Sequence, residues 1–122
     1  MKAVLAWEAF ECSSLASKAG DTQEQARLFM VGYKEGLEFI KAAQKEKVTN
    51  EDVNNQVPVG FLLRLEGPTP DFMLGRIFEA AQEEALKKVY YTNGEYNSPD
   101  VQKRVAQDEL RKRNATFLRS KE

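Results

Sequence analysis

Apolar residues recur at spacings of three and four along nearly the whole chain, and helix-capping signatures cut that pattern into pieces of helical length. The sharpest signature is Thr69-Pro70-Asp71. A threonine cap, a proline at the first helical position and an acid in the first turn specify a helix start, because the side-chain oxygens meet backbone N–H groups that have no partner within the helix. The spacing predicts a helix from there to about Tyr91, with Met73, Leu74, Ile77, Phe78, Ala81, Ala85 and Val89 facing inward. Glu83–Lys87 and Glu84–Lys88 stand four residues apart in the favourable order and predict a solvated outer face.

The same logic assigns the rest. A first helix runs from about Lys2 to Ala19, with Val4, Leu5, Ala9, Cys12, Leu15, Ala16 and Ala19 on one face and Gly20 as its left-handed stop. Trp7 and Phe10 lie off that stripe, and Glu8 falls inside it. Either the helix begins nearer Glu8 or Glu8 is partly buried. Asp21 with Glu24 forms a capping box for a helix reaching about Lys47, with Ala26, Phe29, Met30, Tyr33, Leu37 and Ile40 inward. Gly32 and Gly36 interrupt it four residues apart, each costing about 1 kcal/mol against Ala. The return expected is close approach of another backbone, that of helix 70–91. Thr49-Asn50-Glu51-Asp52 opens a short helix ending near Gln56, and Pro58 opens another over 58–65, apolar enough to be buried on most sides. Ser98-Pro99-Asp100 starts a last helix to about Leu118, with Val101, Val105, Ala106, Leu110 and Phe117 as a weak stripe. Between the last two long helices, Asn93-Gly94 marks a turn, so residues 89–96 read as a helix end or as a small hairpin. The two-residue second arm favours the helix end. The expectation is an all-α fold, an irregular bundle of four longer and two short helices forming a single domain over residues 1–122.

Composition narrows the function. There is no histidine and one cysteine, so His acid–base chemistry, Ser-His and Cys-His pairs, disulfides within the chain and most transition-metal sites are not expected. Eighteen basic residues balance nineteen acidic ones, which argues against a nucleic-acid binder that works by neutralising phosphates. The charge is uneven: residues 101–122 carry seven basic and three acidic side chains, Arg111-Lys112-Arg113 among them. No apolar run approaches the roughly 20 residues a transmembrane helix needs. The start at Met1 is too short for a signal peptide, so the protein is expected to be cytoplasmic, or periplasmic or secreted if a signal was removed.

Cys12 sits on an apolar face and is expected to be a buried, inert thiol. The carboxylate pairs Glu8/Glu11, Glu35/Glu38 and Glu79/Glu83 lack the histidines of a di-metal bundle, and only Glu8 hints at a perturbed acid. No catalytic residue, cofactor or metal is assigned. The aromatic residues are more suggestive. Trp7, Phe10, Tyr90, Tyr91 and Tyr96 lie off the main stripes or around the 90–96 turn, and such side chains anchor protein interfaces. They are the candidate partner-binding residues.

Phe29-Met30-Val31-Gly32-Tyr33-Lys34-Glu35-Gly36, followed by Val57-Pro58-Val59-Gly60 and a proline-started, alanine-rich helix, resembles the layout of the small helical immunity proteins that guard bacteria against type VI secretion amidases. The resemblance covers about residues 12–90. It implies an all-α periplasmic protein that binds and blocks a toxin. A disulfide would be expected in that family, and the single cysteine departs from it. The function expected is therefore a non-enzymatic protein-binding domain of inhibitor or immunity type. The alternative is a small-ligand-binding or carboxylate-based hydrolytic domain with a pocket between helices 21–47 and 70–91.

Overall fold

The computed structural model describes residues 2–45 and 57–113. Helix α1 spans Lys2–Ala19, α2 Thr22–Gln44, α3 Val59–Leu62, α4 Pro70–Tyr90 and α5 Pro99–Lys112, with a two-stranded ribbon, β1 Tyr91–Thr92 and β2 Glu95–Tyr96, before α5. Apart from that ribbon the regular structure of the described residues is helical, and they form a bundle of four long helices and one short one. The expected helix at 49–56 lies outside the described residues, as do Phe117 and the expected ends of the helices at Lys47 and Leu118.

Cap chemistry places the helix starts. The Asp21 carboxylate accepts from the Glu24 N–H at 3.1 Å, Thr69 Oγ1 from the Phe72 N–H at 3.1 Å and Ser98 Oγ from the Val101 N–H at 3.4 Å. Gly20, at φ 84°, stops α1 in the left-handed conformation that glycine adopts without strain.

Helix α1 is the centre of the bundle, packed by α2, α4 and α5. The one-faced stripe expected for it is corrected by this arrangement. Ala3, Ala6, Ala9, Phe10, Cys12, Ser13, Ser14, Leu15, Ala16 and Ala19 are all buried, so core residues lie around most of its circumference. Small side chains make this possible, because alanine and serine let helices close in from several sides. The two serines satisfy their hydroxyls locally: Ser14 Oγ donates to Phe10 O at 3.0 Å and Ser13 Oγ to Gln25 O at 2.9 Å. Glu8 is exposed on a helix that begins at Lys2, which removes both readings of its place in the stripe.

The face of α2 is rotated from the expected one. Leu28, Val31, Gly32, Gly36, Phe39 and Ile40 are buried, whereas Ala26 and Met30 are exposed and Phe29, Tyr33 and Leu37 flank the interface. The glycines lie at its centre: Gly32 faces α1, whereas Gly36 meets helix 70–91, as expected of both, and α1 as well. A Cβ added at Gly32 would stand 2.5 Å from the Phe10 ring. One at Gly36 would stand 2.5 Å from Leu74 in α4 and 3.4 Å from Ala6 in α1. The glycines therefore admit side chains from both neighbours.

Helix α3 is shorter and more exposed than expected. Phe61 alone is fully buried in it, stacked edge-on against Phe39 at 5.3 Å, while Val59 and the following Leu63 are exposed. Arg64 donates to Gly60 O at 3.1 Å. In α4 the expected inner face is present, with Ala80 and Leu86 added and Phe78 half-buried. Its outer face is solvated as expected, but Lys87 pairs with Glu84, three residues away, at 2.9 Å.

One charged contact ties the end of α5 back to the middle of α1. Glu11, buried on α1, accepts from Arg113 at the end of α5 at 2.9 Å. Burial pushes the Glu11 carboxyl above its ordinary range, and Arg113 opposes that shift without cancelling it. The native state thus takes up a proton at Glu11 before the unfolded chain does. Stability from this group is greatest at low pH and falls as pH rises through the window just above 4.5. Arg113→Ala should leave Glu11 buried without its guanidinium and destabilise the fold by about 1–3 kcal/mol at pH 7, discounted for the partial exposure of the arginine. At pH 4 the loss should shrink, since the raised Glu11 carboxyl then carries less charge for Arg113 to offset. Urea denaturation at the two pH values checks this, and an equal loss at both would show that the carboxylate charge is not the cause.

Candidate functional site

The hairpin after α4 carries the most exposed aromatic cluster. The helix does end at Tyr90, but the chain then pairs Tyr91 with Tyr96 and Thr92 with Glu95, so the alternative reading of 89–96 is the one realised beyond the helix end. Asn93 and Gly94, at φ 52° and 82°, supply the two positive φ angles of a type I′ turn. What compensates for the short second arm is the residue that follows it. Buried Asn97 donates from Nδ2 to Val89 O at 2.9 Å and from its backbone N–H to Tyr90 O at 2.7 Å, and its own carbonyl accepts from Gln102 Nε2 at 2.7 Å. These bonds clamp both ends of the hairpin to α4 and α5.

On that support the three tyrosines pack together. The rings of Tyr90 and Tyr96 stack nearly parallel at 6.2 Å, and Tyr91 meets Tyr96 edge-on at 5.6 Å. Lys18 Nζ lies 4.9 Å from the Tyr90 ring centre, a cation–π contact that joins α1 to the cluster. Tyr90 is half-buried, whereas Tyr91 and Tyr96 are 56% and 64% exposed.

The other two candidate residues are placed elsewhere. Phe10 is 1% exposed at the centre of the core, so it is withdrawn from the contact surface. It was misplaced because α1 has no outer face at that position. Trp7 is half-buried over α3, with its ring against Gly60, and walls a cleft of about 320 Å³ together with Pro58, Arg64, Glu83, Glu84 and Lys87. It covers a neighbouring helix and does not join the tyrosines.

A second cavity, of about 220 Å³, opens between α2 and α4. Phe10, Phe29, Tyr33, Leu74, Gly75 and Phe78 line it, with Asp71 at its edge. It lies where the alternative reading places a pocket, but it is smaller than the roughly 300 Å³ at which ligand pockets begin. Four of its residues, Phe29, Tyr33, Leu74 and Phe78, read individually as inward positions, because nothing in a periodic pattern tells a filled face from one with a gap.

The remaining chemical candidates resolve into structural roles. Glu35 and Glu38 both accept from Lys2 Nζ, at 3.3 and 2.5 Å, Glu11 pairs with Arg113, and Glu79 and Glu83 are exposed. In the basic triplet, Arg111 pairs with Asp108, Lys112 approaches Glu109 at 4.0 Å, and Arg113 reaches Glu11. Burial pushes the Cys12 thiol up to about 11, so at neutral pH it is a packed hydrophobe rather than a nucleophile. Among the described residues no helix is long and apolar enough to cross a membrane. In comparisons with known proteins, no family model, no curated protein and no solved structure matches the chain.

The clamp at Asn97 is testable directly. Asn97→Ala leaves the buried Val89 carbonyl without its donor and should lower stability by about 1–3 kcal/mol. Amide exchange of Thr92 to Tyr96 should accelerate by more than that of the α4 core. Unchanged exchange in the hairpin would show that the clamp does not order it.

Proposed function

We propose that this chain is a non-enzymatic protein-binding domain whose contact surface is built on Tyr91 and Tyr96, with Tyr90 as their support. The observation that carries this reading is the exposure of two tyrosines on a hairpin fixed by buried hydrogen bonds. Tyrosine presents large amphipathic area with few rotatable bonds, so a pre-stacked cluster loses little further entropy when a partner covers it. The resemblance of residues 12–90 to amidase immunity proteins supports the narrower form, an inhibitor or immunity-type protein that blocks a bacterial partner. Glu8, the acid singled out for a hydrolytic reading, is exposed and lines neither cleft.

A pull-down from the native host with the parent, Tyr91→Ala/Tyr96→Ala and the control Arg104→Ala tests the proposal. The parent and the control should recover the same partner, and the double variant should lose it, with about a hundredfold weaker binding for two anchor residues. Equal recovery by all three, or recovery of nothing specific by the parent, would contradict the assignment.

A further inference from the structure

The cavity between α2 and α4 combines three features that packing alone does not explain. The first is its aromatic wall. Phe10 and Phe29 each meet Phe78 edge-on at 5.3 Å, and Tyr33 continues the wall with its ring 6.4 Å from Phe29. These rings hold one another at fixed angles around an opening that no side chain of the described residues fills.

The second is Gly75. It lies inside α4, where glycine is less favourable than alanine by about as much as one good hydrogen bond contributes. It has no turn to make, and a Cβ built on it meets nothing within 4 Å. Gly32 and Gly36 make room for Phe10 and Leu74, whereas the room at Gly75 is occupied by nothing described. Gly75 is exposed, so the missing side chain leaves the mouth of the cavity uncovered.

The third is charge. Of the lining residues Asp71 alone carries a charge at neutral pH. The Tyr33 hydroxyl donates to Asp71 Oδ1 at 2.5 Å, which fixes the carboxylate at the edge of the aromatic wall. A carboxylate offers about four lone-pair sites, and this bond uses one. Aromatic faces and a carboxylate together favour a cation: the ring quadrupoles attract it and the carboxylate accepts its N–H donors.

We propose that this cavity is a binding site for a small primary ammonium compound with an aromatic or branched alkyl body, the body seated against the half-buried Phe29 and Phe78 beside Gly75 and the ammonium hydrogen-bonded to Asp71. The volume suits a ligand of about ten non-hydrogen atoms, below the drug-sized range. The site does not depend on the hairpin tyrosines, so its failure leaves the protein-binding reading standing, and the reverse holds too.

Phenethylammonium is the probe, with 2-phenylethanol and phenylacetate as neutral and anionic matches of similar shape. Titrations of the full chain are followed by backbone amide NMR. The amine should shift the Asp71 and Gly75 resonances saturably, with half-saturation at or below about 1 mM. The alcohol should bind about tenfold more weakly and the acid more weakly still. Asp71→Asn should weaken the amine about tenfold and leave the alcohol unchanged. Gly75→Leu should abolish binding of both while retaining the helical circular dichroism of the parent, since the added side chain enters open space. The proposal is overturned by an absence of saturable shifts up to about 10 mM amine. Equal affinity for the amine and the acid, or undiminished binding by a folded Gly75→Leu protein, overturns it too.

Discussion

The arrangement depends on the ring of Phe10 lying where Gly32 has no side chain. A Cβ there would come within 2.5 Å of two ring atoms, so the ring would have to shift from its place between Phe29 and Phe78, whose rings lie at 5.7 and 5.3 Å. That contact sets the distance between α1 and α2. Gly36, one turn on, repeats the device with Ala6 and Leu74 and brings α4 to the same place. Once α1 is held this closely from two sides, α5 completes its burial, and Leu15, Ala19, Ala85, Leu86, Val89 and Ala106 form a further cluster at that end.

The same contact shapes the surfaces. Phe10 forms part of the wall of the cavity between α2 and α4, so the core residue that fixes the packing also contributes to the opening. At the other end, Val89 is fully buried, and its carbonyl is the acceptor for the Asn97 clamp. The exposed tyrosines are thus presented from the end of a helix whose inner face is locked. Rigidity of this kind lowers the entropy lost when a side chain is immobilised against a partner.

Much of the secondary structure was legible because capping is local chemistry. Asp21, Thr69 and Ser98 each accept from the N–H three residues on, and the elements start beside them. What the sequence concealed was which face turns inward. A stripe search weights large apolar residues, so it passed over Ala3, Ala6, Ser13 and Ser14, which are buried because they are small. It put Met30 inside, whereas the rotation of α2 is set by where Gly32 and Gly36 permit approach. The hairpin had its turn signal in Asn93-Gly94, but its anchor, Asn97, bonds to a carbonyl eight residues back and has no local signature. The tyrosines at 91 and 96 were read as surface residues because they follow the end of a stripe. Phe10 was not distinguishable from them, since its burial comes from partners distant in sequence. The cavity between α2 and α4 was legible as a place but not as a set of residues.

The central claim is that the Phe10–Gly32 contact fixes the packing of α1 on α2. The most direct measurement is a double-mutant cycle with Gly32→Ala and Phe10→Leu, read by urea denaturation. By helix propensity alone, Gly32→Ala would stabilise the protein by about 1 kcal/mol. The account predicts the opposite sign in the parent, a loss of about 1–3 kcal/mol from overpacking against the ring. In the Phe10→Leu background, where the side chain is smaller and more adaptable, that loss should largely disappear, giving a coupling energy above about 0.5 kcal/mol. Gly32→Ala as stable as the parent or more so, or an equal loss in both backgrounds, would contradict it.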